Sequence, residues 1–306
     1  MKVFLTGATG FIGGEILRRL HEAGHSTRLL VRNPDSRRVQ ELVSRYRSEE
    51  HAGDISDPAS LEGAVEGVDA VIHLVGIISE VGNRTFELVH TRGTRNVIEA
   101  TKRAGVKRFV HMSALGVRAD AASRYHQSKW EAEGVVRRSG LNYTIFRPSL
   151  VYGSGDRFVN LIARLSKYSP LVPVPGVGRV RFQPISVKVV ASAFVAALSE
   201  PKSFGQIYDL CGPEPLTLPE IVDEILAAKG RRRFKLRVPL GLARAQAALL
   251  EKVYPLLLQK APPLTRDQLI MLEQGSVGIL KPAEELFELK QPAFREGVSA
   301  CLKDQA

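Results

Sequence analysis

Short apolar runs alternate with segments of helical spacing through the first half of the chain. That is the pattern of a parallel sheet with helices between its strands. Residues 2–6 (KVFLT) make a first strand, and 11–23 (FIGGEILRRLHEA) have helical spacing with Gly24 placed as a stop. STRLLVR at 26–32 is a second strand, and a weaker helix follows Asn33-Pro34-Asp35. Asp57-Pro58 opens another helix, with an N-cap residue and then proline in the first turn. DAVIHLV at 69–75 is nearly all apolar, as a strand buried on both faces is. A long helix over 85–104 stops at Gly105, and VKRFVHMS at 106–113 is the next strand. The RYHQSKWEAEGVVRRS helix follows, and LNYTIFR at 141–147 closes the series. With a third strand ahead of HAGDISD, six strands with helices between them predict an α/β fold with a doubly wound parallel sheet.

The pattern changes after residue 150. Residues 170–186 are rich in proline and glycine and read as an excursion over the binding face, whose bounds we set at 156–181. VKVVASAFVAALSE is a helix, and QIYDLCG at 206–212 is one more core strand. From 213 the chain is more helical and less regular, which divides it into 1–212 and a small lobe over 213–306. Thr217 with Glu220, and Thr265 with Gln268, have the spacing of capping boxes.

The charge changes this picture little. Among 306 residues, 43 Lys and Arg against 32 Asp and Glu give a net charge of +11, but the basic residues are scattered. No finger or RNP-like aromatic motif accompanies them, so a solvated basic surface is expected and nucleic acid is not. Two cysteines, Cys211 and Cys301, make no disulfide framework, which fits a reducing, cytoplasmic setting. Neither a signal-peptide pattern nor an uninterrupted apolar run of membrane-spanning length occurs. His73, His90, His111 and His126 have no mutual spacing that suggests a metal site and read as a mix of packed and surface residues.

The first strand runs into TGATGFIGG, with Gly7, Gly10 and Gly13 at G-x-x-G-x-x-G spacing between a strand and a helix. A pyrophosphate needs close backbone approach at such a turn, and the helix N-terminus supplies free N–H groups and the positive end of a dipole. Glycine spacing alone is weak, since ordinary turns also use glycine. Here it stands at the first strand–helix junction, where a dinucleotide requires it. At the end of the second strand an NAD site offers a carboxylate, whereas a 2′-phosphate needs a cation. Arg32 stands there, with Arg37 and Arg38 nearby and Asp35 three positions on, which favours NADP(H) over NAD(H). Asp54 suits the adenine amino group or the cap of the following turn, and Gly76 lets backbone pass close to the cofactor or simply turns.

Together TGATGFIG, GDISD, HLVGI, strand-terminal Ser113, Tyr125-x-x-x-Lys129 and Arg147-Pro148-Ser149 resemble the short-chain dehydrogenase/reductase superfamily, in its extended or atypical branch. The resemblance covers roughly the first half of the chain. Within that branch, HLVGI, MSALGV and TIFRPSLVYGSGD are most similar to the group containing the NAD(P)H-binding accessory subunit of respiratory complex I. It implies a Rossmann domain that binds the dinucleotide through Gly7, Thr9, Gly10, Phe11, Ile12, Gly13, Arg32, Asp54, Ile55, Leu74, Val75 and Gly76. It also implies hydride transfer to or from a carbonyl or hydroxyl, with Tyr125 as acid–base and Ser113 on the substrate oxygen. Lys129 would lower the phenol's pKa and hold the nicotinamide ribose, and Pro148 and Ser149 would flank the ring. Members of this branch also bind the nucleotide without turnover, so a structural or assembly role beside a respiratory complex is the alternative. Tyr125 and Lys129 on a plain polar helix face is the blander one.

VPLGLARAQAALLEKVYPLLLQKAPP at 238–263, interrupted by Pro255, could wall a pocket for a small hydrophobic substrate. It could equally dock on a membrane or partner, or pack the lobe onto the sheet domain. Peripheral contact with an inner membrane is thus left open, as is the oligomeric state.

Overall fold

The computed structural model describes residues 1–176, 178–258 and 261–303 of the chain. Residue 177 of the expected excursion, 259–260 of the apolar stretch and the terminal 304–306 lie outside the described residues. Seven strands form one parallel sheet: β1 (Lys2–Thr6), β2 (Ser26–Val31), β3 (Glu49–Ala52), β4 (Ala70–His73), β5 (Arg108–Met112), β6 (Asn142–Pro148) and the strand Gln206–Leu210. Their spatial order is Gln206–Leu210, β6, β5, β4, β1, β2, β3, with the reversal between β1 and β4. Loops after those two strands therefore diverge and leave a crevice at the carboxyl edge, where such sheets bind ligands.

Alternate side chains of the strands bury on opposite faces. Val3, Leu5, Leu29, Val31, Ile72 and Phe146 meet the helices α1 (Phe11–Glu22) and the one at Val187–Ala197. Phe4, Leu30, Val71, Phe109 and Ile145 form the core of the other face, beside α3 (Gly93–Arg103). α2 (Arg37–Tyr46) begins at its cap Ser36, close to where the sequence places it. Asp57-Pro58 opens only the 3₁₀ turn Ala59–Leu61, because Gly63 and Gly67 take left-handed backbone and end any helix there. The long helix over 85–104 is also two pieces: a π-helical turn, Glu87–Arg92, precedes α3. The wide turn leaves Gly93 against Ile55, where a Cβ would fall 2.5 Å from its Cδ1.

α4 (Arg124–Arg137) packs beside β5 and β6 and carries the Tyr–Lys pair. Beyond it, α5 (Phe158–Tyr168) and the strand Leu171–Pro175 share a separate core with later elements. Val159, Ile162, Val172 and Val174 pack there with Ile221 and Ile225 of the helix Leu218–Ala228 and Val298 of the helix Phe294–Lys303. α6 (Val187–Ala197) lacks an acidic residue in its first turn, and Ser186 caps it instead. Both capping boxes form: Thr217–Glu220 opens α7 (Leu218–Ala228), and Thr265–Gln268 opens the helix Arg266–Gln274.

The apolar stretch makes α8 (Leu240–Leu258), which continues past Pro255 although proline supplies no N–H. Ala243 and Ala247 pack on Leu269 of α9 (Arg266–Gln274), so this helix packs within the lobe and leaves Leu242 and Leu249 exposed.

All four of the histidines singled out above are buried, contrary to the expected mix. His73 is bonded at both ring nitrogens, by Thr6 Oγ1 at 2.8 Å and Thr94 Oγ1 at 3.2 Å. His111, its neighbour across the β4–β5 ladder, has no partner at either nitrogen among the described residues and stacks on it at 5.5 Å. Burial pulls the pKa of His73 down to about 3 and that of His111 well below the ordinary value, with Lys129 adding repulsion. Both rings are neutral when folded and take a proton on unfolding below about pH 6.5. Unfolding stability should therefore fall as the pH drops from about 6.5 towards 3, by up to roughly 1.4 kcal/mol per pH unit for each ring. His111→Phe should make that fall shallower in urea titrations at pH 7, 6 and 5. An unchanged slope would mean that His111 binds its proton equally well in the folded and unfolded states.

Candidate functional site

The site is built from the carboxyl edge of the sheet upward. Gly7 leaves β1 with φ +82°, and Gly10 closes the turn by donating its N–H to Gly7 O at 3.0 Å. Gly13 lies so close that a Cβ there would sit 2.1 Å from Gly7 O. α1 starts at Gly10 without a side-chain cap, and the N–H of Gly14 donates to Gly10 O at 3.0 Å. The N–H groups of Phe11, Ile12 and Gly13 precede that bond in the first turn, where a helix has no acceptors of its own. Thr9 and Gly10 are exposed, and the ring of Phe11 reaches the Gly153 turn on the other side. Leu74 and Val75, leaving β4, close on Gly7 from below, with a Cβ at Gly7 coming within 3.4 Å of both. These residues form an amide-lined cradle that only glycine permits.

At the end of β2, Arg32 is exposed and makes no hydrogen bond or ion pair among the described residues, and the same holds for Asp35. Arg37 pairs with Glu41. Arg38 bends back and donates its Nε to Thr9 O at 2.9 Å, which brings a second guanidinium to the glycine loop. Asp54 accepts from Ser56 N at 2.9 Å and Ser56 Oγ at 2.7 Å, the turn-capping reading, through one carboxylate oxygen. Ile55 is buried, and its carbonyl accepts from Asn96 Nδ2.

Lys129 is 2% exposed and donates one hydrogen bond, to Met112 O at 3.0 Å, which leaves two N–H groups. It lies directly under Gly76, where a Cβ would come 3.2 Å from Nζ. Burial lowers its pKa to about 8, with Glu133 opposing the shift. His90, from the π-helical turn, accepts the Ile77 N–H at Nε2 (3.0 Å) and meets Ser128 Oγ at Nδ1 (2.8 Å). Ser128 spends its proton on Tyr125 O, so Nδ1 of His90 is the protonated nitrogen. The Tyr125 ring stands edge-on to Phe86 and His90, at 6.0 and 5.5 Å between centroids. Its hydroxyl makes no hydrogen bond among the described residues. Burial raises its pKa to about 12, opposite to the lowering expected from Lys129.

Ser113 is 3% exposed and donates its hydroxyl proton to Glu133 Oε1 at 2.6 Å. Glu133 is fully buried and is gripped by Arg147 through Nε (2.7 Å) and Nη2 (2.6 Å), with Arg137 at 3.2 Å. Ser113 thus ties β5 to α4 and has no proton free for a substrate oxygen. Pro148 is buried at the end of β6, and the Ser149 hydroxyl pairs with Ser276 Oγ of the C-terminal lobe at 2.8 Å.

Three contributors escaped the sequence reading. Asp267, on the first turn of α9, accepts from Arg124 N (2.8 Å), Tyr125 N (3.1 Å) and Ser123 Oγ (2.9 Å). It caps the tyrosine helix from 142 residues away in sequence, and nothing local marks it. His90 is placed by a π-helical turn that periodicity does not reveal. Glu133 does carry a signal, since it lies one turn beyond Lys129 on the same helix face.

The sequence pattern of a family described as NAD(P)H-binding matches residues 7–201. Over 273 residues, 88% of this chain and 67% of its relative, the chain is 29% identical to the NADH dehydrogenase [ubiquinone] 1 alpha subcomplex subunit 9 of Arabidopsis thaliana. It is 34% identical to a ceramide reductase of Caulobacter vibrioides over 56% of this chain, and spans only 53% of that protein. An NADPH-dependent quinone oxidoreductase from Escherichia coli, solved with NADPH, superposes with a TM-score of 0.76 at 22% identity, over 98% of this chain and 99% of the other. That likeness fixes the fold.

The buried ammonium of Lys129 gives a stability test. A lysine whose folded pKa is about 8 costs stability wherever both states are charged, and the cost fades as pH rises from about 8 to about 10.5. Lys129→Met should therefore raise the thermal midpoint of the ligand-free protein at pH 7, by a gain on the order of 2–3 kcal/mol after the lost hydrogen bond. The gain should shrink towards pH 10. A variant less stable than the parent at pH 7 would show that Lys129 is not held as an uncompensated charge.

Proposed function

Because the chain belongs to the NAD(P)H-binding family, we propose that it is an NADP(H)-dependent reductase acting on a carbonyl attached to an apolar chain. The observation that carries the reading is Lys129, a buried cation with two unspent N–H groups at the carboxyl edge, one turn from Tyr125. Burying an ammonium without a contacting carboxylate is costly, and sites keep such groups for a ligand. The glycine cradle fits a pyrophosphate, since a Cβ at Gly10 would press on Gly7 O at 3.2 Å and one at Gly13 would clash outright.

On this reading Gly7, Thr9, Gly10, Phe11, Ile12 and Gly13 hold the pyrophosphate, and Leu74, Val75 and Gly76 floor the site. Asp54 and Ile55 face the adenine. Arg32, with Arg38 behind the loop, receives the 2′-phosphate. Lys129 binds the nicotinamide ribose through its spare N–H groups, and Pro148 and Ser149 border the ring. The bound dinucleotide supplies a hydride. Tyr125 donates the proton to the carbonyl oxygen, and a phenol raised to about 12 arrives protonated, which suits reduction better than oxidation. Ser113 anchors α4 to β5 in place of the substrate contact expected of it.

The substrate class draws on two features. Exposed Ile78, Val277 and Ile279 lie on loops beyond the carboxyl edge, and Gly278 between the last two packs against Leu115. The ceramide reductase carries a lipidic substrate in its name. A second reading has one observation behind it: the engaged Ser113 proton suits a nucleotide binder without turnover, as in a subunit of a respiratory assembly.

NADPH should bind more tightly than NADH in fluorescence titrations, and Arg32→Ala should weaken NADPH selectively by roughly tenfold. Equal affinities for the two dinucleotides would remove the 2′-phosphate assignment.

Tyr125→Phe separates the two readings. With long-chain ketones and NADPH the variant should lose at least about a hundredfold in kcat and keep its dinucleotide affinity. Wild-type protein that binds NADPH but reduces no ketone, aldehyde or quinone offered would favour the structural reading. Full activity in Tyr125→Phe would end the acid role.

A further inference from the structure

The C-terminal lobe carries a surface that the nucleotide site does not use. The strand Leu171–Pro175 pairs in parallel with Phe234–Val238, so that Phe234 lies opposite Leu171 and Leu236 opposite Pro173. Val172 and Val174 turn inward to the lobe core, and the outer face of this two-stranded ribbon is apolar and uncovered. Phe234 is 77% exposed, Leu236 51% and Leu171 43%, and Tyr168, at the end of α5, is 76% exposed. Large apolar side chains gathered this way on an uncovered face mark an interaction site.

Cations border the patch. Residues 229–237 read KGRRRFKLR, six basic residues with no acidic one, and Lys167 precedes Tyr168. Arg231 and Arg233 hold the turn to the end of α5, through Ala163 O, Ser166 Oγ and Ser166 O. Arg232 and Lys167 are exposed with no carboxylate partner among the described residues, and Lys167 lies over the Tyr168 ring, while Lys235 pairs with Asp223. The turn is therefore fixed while these two cations remain available.

We propose that this ribbon docks the protein on an anionic lipid bilayer, with Phe234, Leu236, Leu171 and Tyr168 entering the interface and Arg232 and Lys167 meeting the headgroups. An apolar tip with an aromatic on each side of a basic rim matches the boundary between acyl chains and phosphates. A second copy of the chain fits worse. A symmetric face-to-face contact would set one basic rim against the other. No helix among the described residues is long and apolar enough to cross a membrane. The docking goes beyond the proposed reductase activity and holds whether or not the nucleotide turns over.

Co-sedimentation with vesicles tests it on the full chain. Vesicles of phosphatidylcholine with about a third phosphatidylglycerol should pull the protein down at low salt. Pure phosphatidylcholine should not, and high salt should weaken binding. The exposed double change Phe234→Ser/Leu236→Ser should reduce the partition coefficient by roughly tenfold or more. Arg232→Ser/Lys167→Ser should do so by a similar factor at low salt. NADPH titration and circular dichroism confirm that each variant is folded, and the two variants act through different atoms. No binding to anionic vesicles would overturn the proposal and leave the face to an acidic protein. Binding that survives both variants would overturn it as well, by placing the contact elsewhere.

Discussion

Two opposite charges buried one helical turn apart on α4 govern the carboxyl edge of the sheet. Lys129 and Glu133 are both withdrawn from water, and each solves the desolvation problem differently. Glu133 is saturated: two bonds from Arg147, one from Arg137 and one from Ser113 leave it little unmet demand. Lys129 is left short, with one backbone carbonyl and a pKa lowered to about 8. The saturated charge fixes the register of α4 on β5 and β6. The unsatisfied one is the group a ligand can complete.

The histidines around Lys129 follow from the same constraint. Burial disfavours charge on His73, His90 and His111, and the nearby Lys129 cation adds repulsion, so all three stay neutral and act as packing groups. His90 then becomes a fixed bracket between Ile77 N–H and Ser128, and Ser128 in turn holds the Tyr125 carbonyl. The orientation of the tyrosine thus rests on neutral imidazole bonding as much as on the helix.

Most of the sheet was legible in the sequence because its central strands are short apolar runs, and side-chain alternation is a local property; the polar edge strand Glu49–Ala52 carries no such run. The glycine loop was legible for a related reason: the backbone itself makes the binding surface, so the residues that permit it are adjacent in the chain. What failed to read was set by long-range contacts. The helix expected after Asp57-Pro58 lost to left-handed Gly63 and Gly67, and the long third helix was widened where Gly93 meets Ile55. Ser113 was visible as a strand-terminal serine, but its proton is taken by a carboxylate twenty positions on. Residue type and order give no direction to a hydroxyl.

The separation of binding from chemistry on α4 bears on why similar chains carry names as different as a reductase and a respiratory-complex subunit. The proposed dinucleotide site draws on the glycine cradle and Lys129, all within the first 129 residues and held by the sheet itself. The proposed chemistry rests on one phenol, and the N-terminus of its helix is capped by Asp267 from the C-terminal lobe. That lobe also sends Ser276 to Ser149 and Gly278 to Leu115. A change in how the lobe seats would shift Tyr125 and the substrate mouth together while leaving the cradle intact. On the proposed reading, the cradle is therefore insensitive to how the lobe seats, whereas the placement of Tyr125 is sensitive to it.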